Sequence, residues 1–423
     1  MPPVSPDLYF PIEITTREYA GHVLLGTELA SRGRTVVIGH KSQVKRIGRA
    51  AARCGVVFYK TTQIPDWADG HHEVVGMDPE AGIVFRDFAD FRLRQAIARD
   101  SRGCGQFCYG PDDHDLLTTE FPDLHHRIHL TGSPRVELWG TSGADFYSAA
   151  STRIQDHYGE FVLFTSSGGF AHEKDLEKQR AEPGATWDAA DHAHHFYLMA
   201  LHAARSGFTV VLRPHPVDSW IAWQKTVADV PGIHIDTTYD LAAWTRVARA
   251  VVHPGTSTAA FEAVCAGIPA VSTQSKAKTN VATDLSHLAH DADHLIRLLT
   301  DAREGRLSTF PSAEARLLLE RKLLHPLEGA TVRIADVLDT AVPFEGPSGV
   351  RYQEHRFSGI RRRITRRRQP ERTLGDHRPR PYKRDPLFLE TVERDVASCL
   401  RILGRTDDVR VRELDENCFA LSL

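Results

Sequence analysis

Two histidine-proline steps stand where apolar segments end: His215-Pro216 in VVLRPHPVDSW and His253-Pro254 in VVHPGTSTAAFEAVCAGIP. Each follows a valine-rich run, which is typical of a buried strand in a parallel sheet. Proline ends such a strand and turns the chain, so we expect both histidines at the rim of the sheet, at its carboxyl edge. Ligands of open parallel sheets bind beyond that edge. The two steps therefore predict one polar site, although a strand-end turn with a solvated histidine explains either step alone.

The first of these steps also carries a cation, because Arg213 and His215 flank Pro214. A guanidinium offers a fixed fork that fits a phosphate. A protonated imidazole can donate a hydrogen bond to a departing phosphate oxygen. The pair predicts a loop that stabilises a leaving phosphate group.

The second step leads into Gly255, Thr256, Ser257 and Thr258, where a helix is predicted to begin. Free backbone N–H groups, the helix dipole and the hydroxyls together form an anion site. Simple N-capping of the helix is the alternative. Glu262 lies one turn further along the same helix face. Its carboxylate can accept hydrogen bonds from a ribose diol, or it is an ordinary helical glutamate. Taken with Arg213, His215 and His253, these residues fit a nucleotide phosphate ester.

Short valine- and isoleucine-rich runs alternate with helical stretches along the chain, as in LYFPIEI, then REYAGHVLLGTELASRG, then RTVVIGH. The pattern restarts at EFVLFTSSGG and continues through FTVVLRP, IHIDTT and AVVHPG. Strands that alternate with helices predict parallel-sheet units. The polar segment at residues 140–157 divides the chain into two α/β halves, so the fold class is α/β.

Composition describes a globular chain with one basic segment. The 423 residues carry 52 Lys and Arg against 55 Asp and Glu, a formal net charge of −3. Residues 351–384 contain 13 Lys and Arg against 3 Asp and Glu. Such a segment suits an anionic membrane surface, and a solvated linker is the other interpretation; nucleic acid is not expected as a partner.

The chain has neither a signal-peptide pattern nor 18 consecutive apolar residues. Its six cysteines lack the spacing of a metal site. We therefore expect a cytoplasmic protein with reduced thiols, peripheral at the inner membrane if residues 351–384 bind lipid.

The second half resembles the donor-binding half of GT-B glycosyltransferases in the segment GTSTAAFEAVCAGIPAV. RPHP is similar to the HP motif of bacterial sialyltransferases, Kdo transferases and glycerol-phosphate polymerases. Over most of its length the chain resembles the bacterial surface carbohydrate biosynthesis protein family. The similar segments are YFPIEITTRE, MDPEAG, IHLTGSPRVELW, RPHP, WTRVARAVVHPGTSTAAFEA and ENCFAL.

This resemblance implies a GT-B fold, with two Rossmann-like domains that face an interdomain cleft. Residues 1–150 would form the acceptor-binding domain and residues 151–345 the nucleotide-sugar-binding domain. An Arg-rich linker at 346–384 and a C-terminal helix and tail at 385–423 would follow.

The resemblance also assigns residue roles. His215 and Arg213 would stabilise the departing phosphate, and Asp78 or Glu80 would act on the acceptor hydroxyl. Where this chain has TSSGG, the family carries an Asn-rich turn, and we expect Ser166 and Gly168 to line the donor site there. Glu13, Arg17 and Glu18 follow the first strand and are acceptor-binding candidates; a structural ion pair between Glu13 and Arg17 is the alternative.

The predicted activity is metal-independent and cofactor-free transfer of a sugar from a nucleotide-activated donor to a surface polysaccharide or lipid-linked glycan. A CMP-activated, Kdo-like sugar is the first choice of donor. Three alternatives stay open: a nucleotide-sugar 2-epimerase, a CDP-alditol phosphotransferase, and a non-catalytic membrane-surface scaffold of a glycan assembly complex.

Overall fold

The structure of the chain is a computed structural model. It describes residues 7–51, 54–60, 65–68, 72–77, 105–166, 189–215, 218, 220–255, 257–273, 280–341 and 385–423.

Within these ranges the first sheet has eight strands in the order β13-β14-β2-β1-β3-β4-β5-β6. Strands β1 to β6 pair in parallel. Their bounds are Leu8–Ile12, Val36–His40, Val56–Tyr59, Glu73–Gly76, Gly105–Cys108 and Ile128–Leu130. All five residues of β1 are buried, as expected for a strand in the middle of a covered parallel sheet.

Five α-helices accompany this first part of the chain in the described ranges. They are α1 (Thr15–Ser31), α2 (Lys41–Arg49), α3 (Pro111–Glu120), α4 (Pro134–Glu137) and α5 (Gly143–Tyr158), with a 3-10 turn at Pro122–Arg127. Helix α1 packs against α4 at Gly21, where an added Cβ would lie 2.9 Å from the backbone nitrogen of Arg135. A glycine at this point lets the two helices approach closely.

The second sheet has six described strands, all parallel, in the order β12-β11-β10-β7-β8-β9. Strands β7 to β12 are Val162–Thr165, Val210–Arg213, Ile233–Ile235, Val251–His253, Ala270–Ser272 and His287–Leu288. Helices α6 to α13 are Ala189–Arg205, Trp220–Val227, Leu241–Thr245, Thr258–Cys265, Val281–Asp284, Ala292–Arg303, Ala313–Lys322 and Ala330–Ala341. The two sheets of mainly parallel strands confirm the α/β class predicted from the strand and helix pattern.

The C-terminal segment returns to the first sheet. Helix α14 (Leu389–Ile402) packs on α1, and strands β13 (Arg410–Asp415) and β14 (Cys418–Ser422) form a hairpin. Strand β14 pairs antiparallel with β2, with Leu421 opposite Val36. The sequence of residues 385–423 predicts a helix and a tail; in the structure this tail forms a hairpin that extends the first sheet.

The two halves share a continuous apolar core at the segment that joins them. Polar contacts reinforce this junction: Arg246 Nη2 donates to the backbone carbonyls of Leu138 and Trp139 at 2.8 and 3.0 Å, and Ser151 Oγ donates to the carbonyl of Ala243 at 2.9 Å. Side-chain hydrogen bonds to buried carbonyls satisfy groups that would otherwise destabilise such a junction. None of the described helices is long and apolar enough to cross a membrane.

Candidate active site

Three neighbouring strands of the second sheet end in polar loops at the same edge. In the order β10-β7-β8, these strands end at His253, Thr165 and Arg213, and Thr165 pairs in register with Arg213. Parallel strands present their carboxyl ends on one side of a sheet, which is where ligands of this architecture bind. Both histidine-proline steps therefore lie at the expected edge, separated by one strand.

The turn after β8 is anchored by a carboxylate. The backbone N–H of His215 donates to Ser166 Oγ at 2.7 Å and to Asp218 Oδ2 at 3.2 Å. Ser166 Oγ donates in turn to Asp218 Oδ2. The indole Nε1–H of the fully buried Trp223 donates to the same oxygen at 3.0 Å. Because one carboxylate oxygen accepts from three groups, the position of His215 at the strand end is closely defined.

Arg213 is buried behind this turn. Its Nη1 and Nη2 donate to the backbone carbonyls of Thr238 and Tyr239 at 2.8 and 2.9 Å, and its guanidinium lies 5.2 Å from the ring centre of Trp244. These contacts fix the loop that follows β9. The role of Arg213 in phosphate binding stays a prediction. In this arrangement Arg213 places a positive charge beneath the site.

His253 lies inside the sheet edge, whereas the sequence analysis expected it at the rim. The side chain has no exposed surface, with Nδ1 2.7 Å from the carbonyl oxygen of Gly255 and Nε2 2.8 Å from Ser286 Oγ. Burial lowers the pKa of His253 to about 4, so the imidazole is neutral at physiological pH. Its contacts hold the backbone of Gly255 in place, next to the start of the following helix. Gly255 has a φ of +136°, a conformation that favours glycine.

Helix α9 begins with a capped turn. Ser257 is the N-cap residue, and its Oγ accepts a hydrogen bond from the backbone N–H of Ala259 at 3.2 Å. Thr258 is the first helical residue. The N-capping interpretation of Ser257 is thus confirmed, and anion binding at this turn stays a prediction.

Glu262 is buried on the same helix and pairs with a residue of the first half. Arg135 Nη2 donates to Glu262 Oε1 at 2.7 Å, while its guanidinium lies over the ring of Trp139. Burial raises the pKa of the Glu262 carboxyl, and the charges of Arg135 and Arg213 oppose this effect. Burial, with the nearby charge of Glu262, raises the pKa of Asp240 to about 7. The two halves therefore meet in an ion pair that includes Glu262, the residue predicted to bind the ribose.

The candidate acceptor residues form a cluster just after β1. The backbone N–H of Glu13 donates to Glu18 Oε2 at 2.7 Å, and Arg17 Nη2 lies 3.1 Å from Glu18 Oε1. Lys60 Nζ donates to Glu13 Oε2 at 2.8 Å, and Lys41 Nζ lies 3.8 Å from the same oxygen. The structure thus brings Glu13, Arg17 and Glu18 together and adds two lysines that the sequence analysis did not select.

A cavity opens beside this cluster. Strand β1 pairs with β3 through Leu8 and Tyr9, and Pro11, which has no N–H to donate, lies beyond that pairing. Two adjoining depressions occupy the space past the strand ends and share four lining residues: Glu18, His22, Phe58 and Met77. Arg135 lines the first depression and also contacts Glu262. Arg135 therefore connects the lining of the first depression to helix α9 of the second half.

Four of the predicted site residues, Asp78, Glu80, Gly168 and Thr256, lie outside the described residues.

Sequence reasoning did not select Arg135, Asp218 or His22. Arg135 had a signal, because the segment SPRVELW places it directly after a proline that begins a short helix. Asp218 had one too, since aspartate is favoured in turns, where its side chain accepts hydrogen bonds from nearby backbone N–H groups.

Comparison with solved structures supports the architecture. The wall teichoic acid polymerase TagF, as its H444N variant, matches with a TM-score of 0.50 and 9% identity, over 79% of this chain and 88% of that one. The UDP-GlcNAc 2-epimerase of Methanocaldococcus jannaschii matches with a TM-score of 0.43 and 12% identity, over 77% and 82%. Anabaena Alr3699/HepE in complex with UDP and glucose gives 0.43 and 11%, over 79% and 100%.

Neither a scan against protein-family models nor a search of curated proteins finds a match to this sequence. The similarity to solved structures is one of fold, since every identity is low. The match to TagF and the two sheets support the same conclusion: the chain has the GT-B fold predicted from its sequence.

Proposed function

We propose that the protein is a GT-B transferase that moves a sugar from a nucleotide-activated donor to a glycan acceptor. The observation that carries the proposal is the convergence of two built turns at one edge of the second sheet. One is the His215 turn held by Asp218, and the other is the capped turn at Ser257. The Arg135–Glu262 contact joins helix α9, which begins at this edge, to the lining of the cavity of the first half.

In the proposed reaction, the bond between the anomeric carbon and the phosphate oxygen of the donor breaks. His215 donates a hydrogen bond to the departing phosphate, whose charge is also stabilised by the start of α9 and by the buried Arg213. Glu262, oriented by Arg135, accepts hydrogen bonds from the ribose. The acceptor hydroxyl forms the new bond to the anomeric carbon and loses its proton to a base, for which Asp78 and Glu80 are the candidates.

The finer assignment rests on sequence resemblance. The HP motif supports a CMP-activated, Kdo-like donor, and the family resemblance supports a bacterial surface polysaccharide or lipid-linked glycan as acceptor. Peripheral contact of residues 351–384 with the inner membrane is part of the same proposal. The division into domains at residues 150 and 345 is proposed on the same basis, with the C-terminal segment added to the first sheet.

Thermal stabilisation by a panel of CMP, CDP, UDP and GDP tests the donor site. A ligand at a hundredfold excess over its dissociation constant stabilises by about 2.7 kcal/mol. We expect a shift with CMP; a shift with UDP or GDP instead would keep the fold and discard the CMP donor. Absence of any shift would overturn the proposal and favour the scaffold alternative.

Product analysis with the nucleotide sugar that binds then separates the enzyme classes. A transferase needs an acceptor for turnover, whereas a 2-epimerase converts the donor alone, and a CDP-alditol phosphotransferase releases CMP from CDP-glycerol. The variant His215→Ala is expected to abolish turnover with the fold intact, while His126→Ala, at an exposed site of the first half, serves as the control. Full activity of His215→Ala would remove this residue from the mechanism.

A further inference from the structure

His22, on the inner face of α1, has a ring nitrogen that no described residue pairs with. Its ring lies against Phe10 and Phe58, with centroid distances of 5.4 and 5.6 Å. The ring nitrogen Nδ1 is buried and has no hydrogen-bond partner among the described residues. A buried polar atom without a partner destabilises a fold, so its presence calls for an explanation.

The same side chain lines both depressions of the cavity described above. Phe58 and Met77 form an apolar wall next to it, and Tyr109 also lines the first depression. Charged groups lie around this apolar surface: Arg17 and Glu18 flank it, and Lys41 and Lys60 line the second depression. An apolar surface with a few convergent polar groups is the usual composition of a small-ligand site.

The charge state of His22 restricts the chemical groups that it can bind. Burial lowers the pKa of His22 to about 4, so the imidazole is neutral at physiological pH. A neutral imidazole does not offer an ion pair to a carboxylate or a phosphate. It exchanges hydrogen bonds with a hydroxyl, because a hydroxyl can both donate and accept. Its weak basicity also makes it a poor general base at neutral pH.

We propose that His22 binds a hydroxyl of the sugar acceptor, whose ring packs on the wall formed by Phe58 and Met77. This inference rests on the proposed function and deepens it, since it adds to the acceptor-binding candidates a residue that recognises a hydroxyl of the saccharide. His22 is a binding residue in this role, and the proton of the reacting hydroxyl leaves to another group.

The variants His22→Phe and His22→Gln test the proposal. Phenylalanine keeps the packing against Phe10 and Phe58 and removes both nitrogens, whereas glutamine keeps a hydrogen-bonding group. The probes are glucose, galactose, mannose and N-acetylglucosamine, and their binding to the full chain is measured by saturation-transfer NMR. We expect at least one of these sugars to bind the wild type, and His22→Phe to weaken that sugar about fivefold, the effect of one lost hydrogen bond. His22→Gln should restore part of the affinity.

A structural role for His22 predicts a different result. If the imidazole only supported the fold, His22→Phe would lower the melting temperature and leave sugar affinity unchanged. Our proposal predicts an equal or higher melting temperature, because the variant removes an unpaired buried polar atom. Failure of all four sugars to bind, or equal affinity of wild type and His22→Phe, would overturn the proposal.

Nucleotide binding keeps the two proposals distinguishable. Its site lies at the second sheet, so the melting shift with the bound nucleotide should be the same in wild type and His22→Phe. A normal nucleotide shift with no sugar effect removes the role of His22 alone. If nucleotide does not raise the melting temperature of the wild type, the proposed function itself is refuted.

Discussion

Asp218 offers the most direct test of how the candidate site is built. The substitution Asp218→Ala removes the oxygen that accepts from His215, Ser166 and Trp223. Hydrogen bonds to a charged group contribute about 1.5–3 kcal/mol each, but three donors on one oxygen do not add fully. The buried indole N–H of Trp223 would also lose its acceptor, which alone costs about 1–3 kcal/mol.

We therefore expect Asp218→Ala to destabilise the protein by about 3 kcal/mol, combining the lost anchor and the unpaired indole. For a domain of the size of the second half, this corresponds to a decrease of about 6–12 °C in melting temperature. Asp218→Asn keeps an oxygen acceptor without the charge, and it should lose about 1 kcal/mol. Differential scanning fluorimetry of the two variants beside the wild type measures both shifts.

The functional part of this prediction concerns the backbone of His215. Once the anchor is lost, the turn can adopt other conformations, so Asp218→Ala should weaken nucleotide binding more than its loss of stability explains. The assay is isothermal titration at a temperature where the variant is fully folded. A melting temperature within about a degree of the wild type would refute the anchoring argument. A lowered melting temperature with unchanged nucleotide affinity would show that the carboxylate supports the fold alone.

Three further predictions concern the junction and the first sheet. Arg135→Leu leaves the buried Glu262 without its hydrogen-bonded ion-pair partner and should cost about 3 kcal/mol in urea unfolding at pH 7.5. Adding Glu262→Gln should recover part of this loss; no recovery would argue against the pairing. Because the pKa of Asp240 is raised to about 7, this group stabilises the fold below its ordinary pKa of 3.8, and the contribution is lost as pH rises to 7. Asp240→Asn should therefore reduce the change in unfolding free energy between these two pH values by up to about 4 kcal/mol. An unchanged pH dependence of the unfolding free energy would contradict this. Gly39→Ala places a Cβ against the backbone of Asn417 and Cys418; it should cost about 1–3 kcal/mol of unfolding free energy and speed up hydrogen exchange in β14. Gly33→Ala is the control: it should also lose stability, but hydrogen exchange in β14 should stay unchanged.

Most of the strands could be predicted from the sequence because each is a short apolar run bounded by turn residues. The edge at which the site lies followed from the two histidine-proline steps, since parallel strands place their carboxyl ends together. Both predictions depend on local patterns, and local patterns survive in the folded chain.

The environment of individual side chains could not be predicted in the same way. Arg213 and His215 are two residues apart, yet one is buried against backbone carbonyls and the other is partly exposed. His253 is the last residue of β10 and its Nε2 contacts Ser286 Oγ of a distant turn, whereas His215 lies two residues beyond the end of β8. Such differences arise from contacts between segments remote in sequence. The pairing of Arg135 with Glu262 belongs to the same class, since no local pattern connects them.

The pairing of β14 with β2 has a consequence for how the chain folds during synthesis. Strands β7 to β12 are contiguous in sequence, so the second sheet can form as soon as residues 162–288 have left the ribosome. The first sheet is made earlier but keeps an open edge at β2 until residues 418–422 emerge. An unpaired strand edge is prone to association with other chains. We therefore expect the half that is translated first to reach its final form last, and the growing chain to depend on protection of β2 in the meantime.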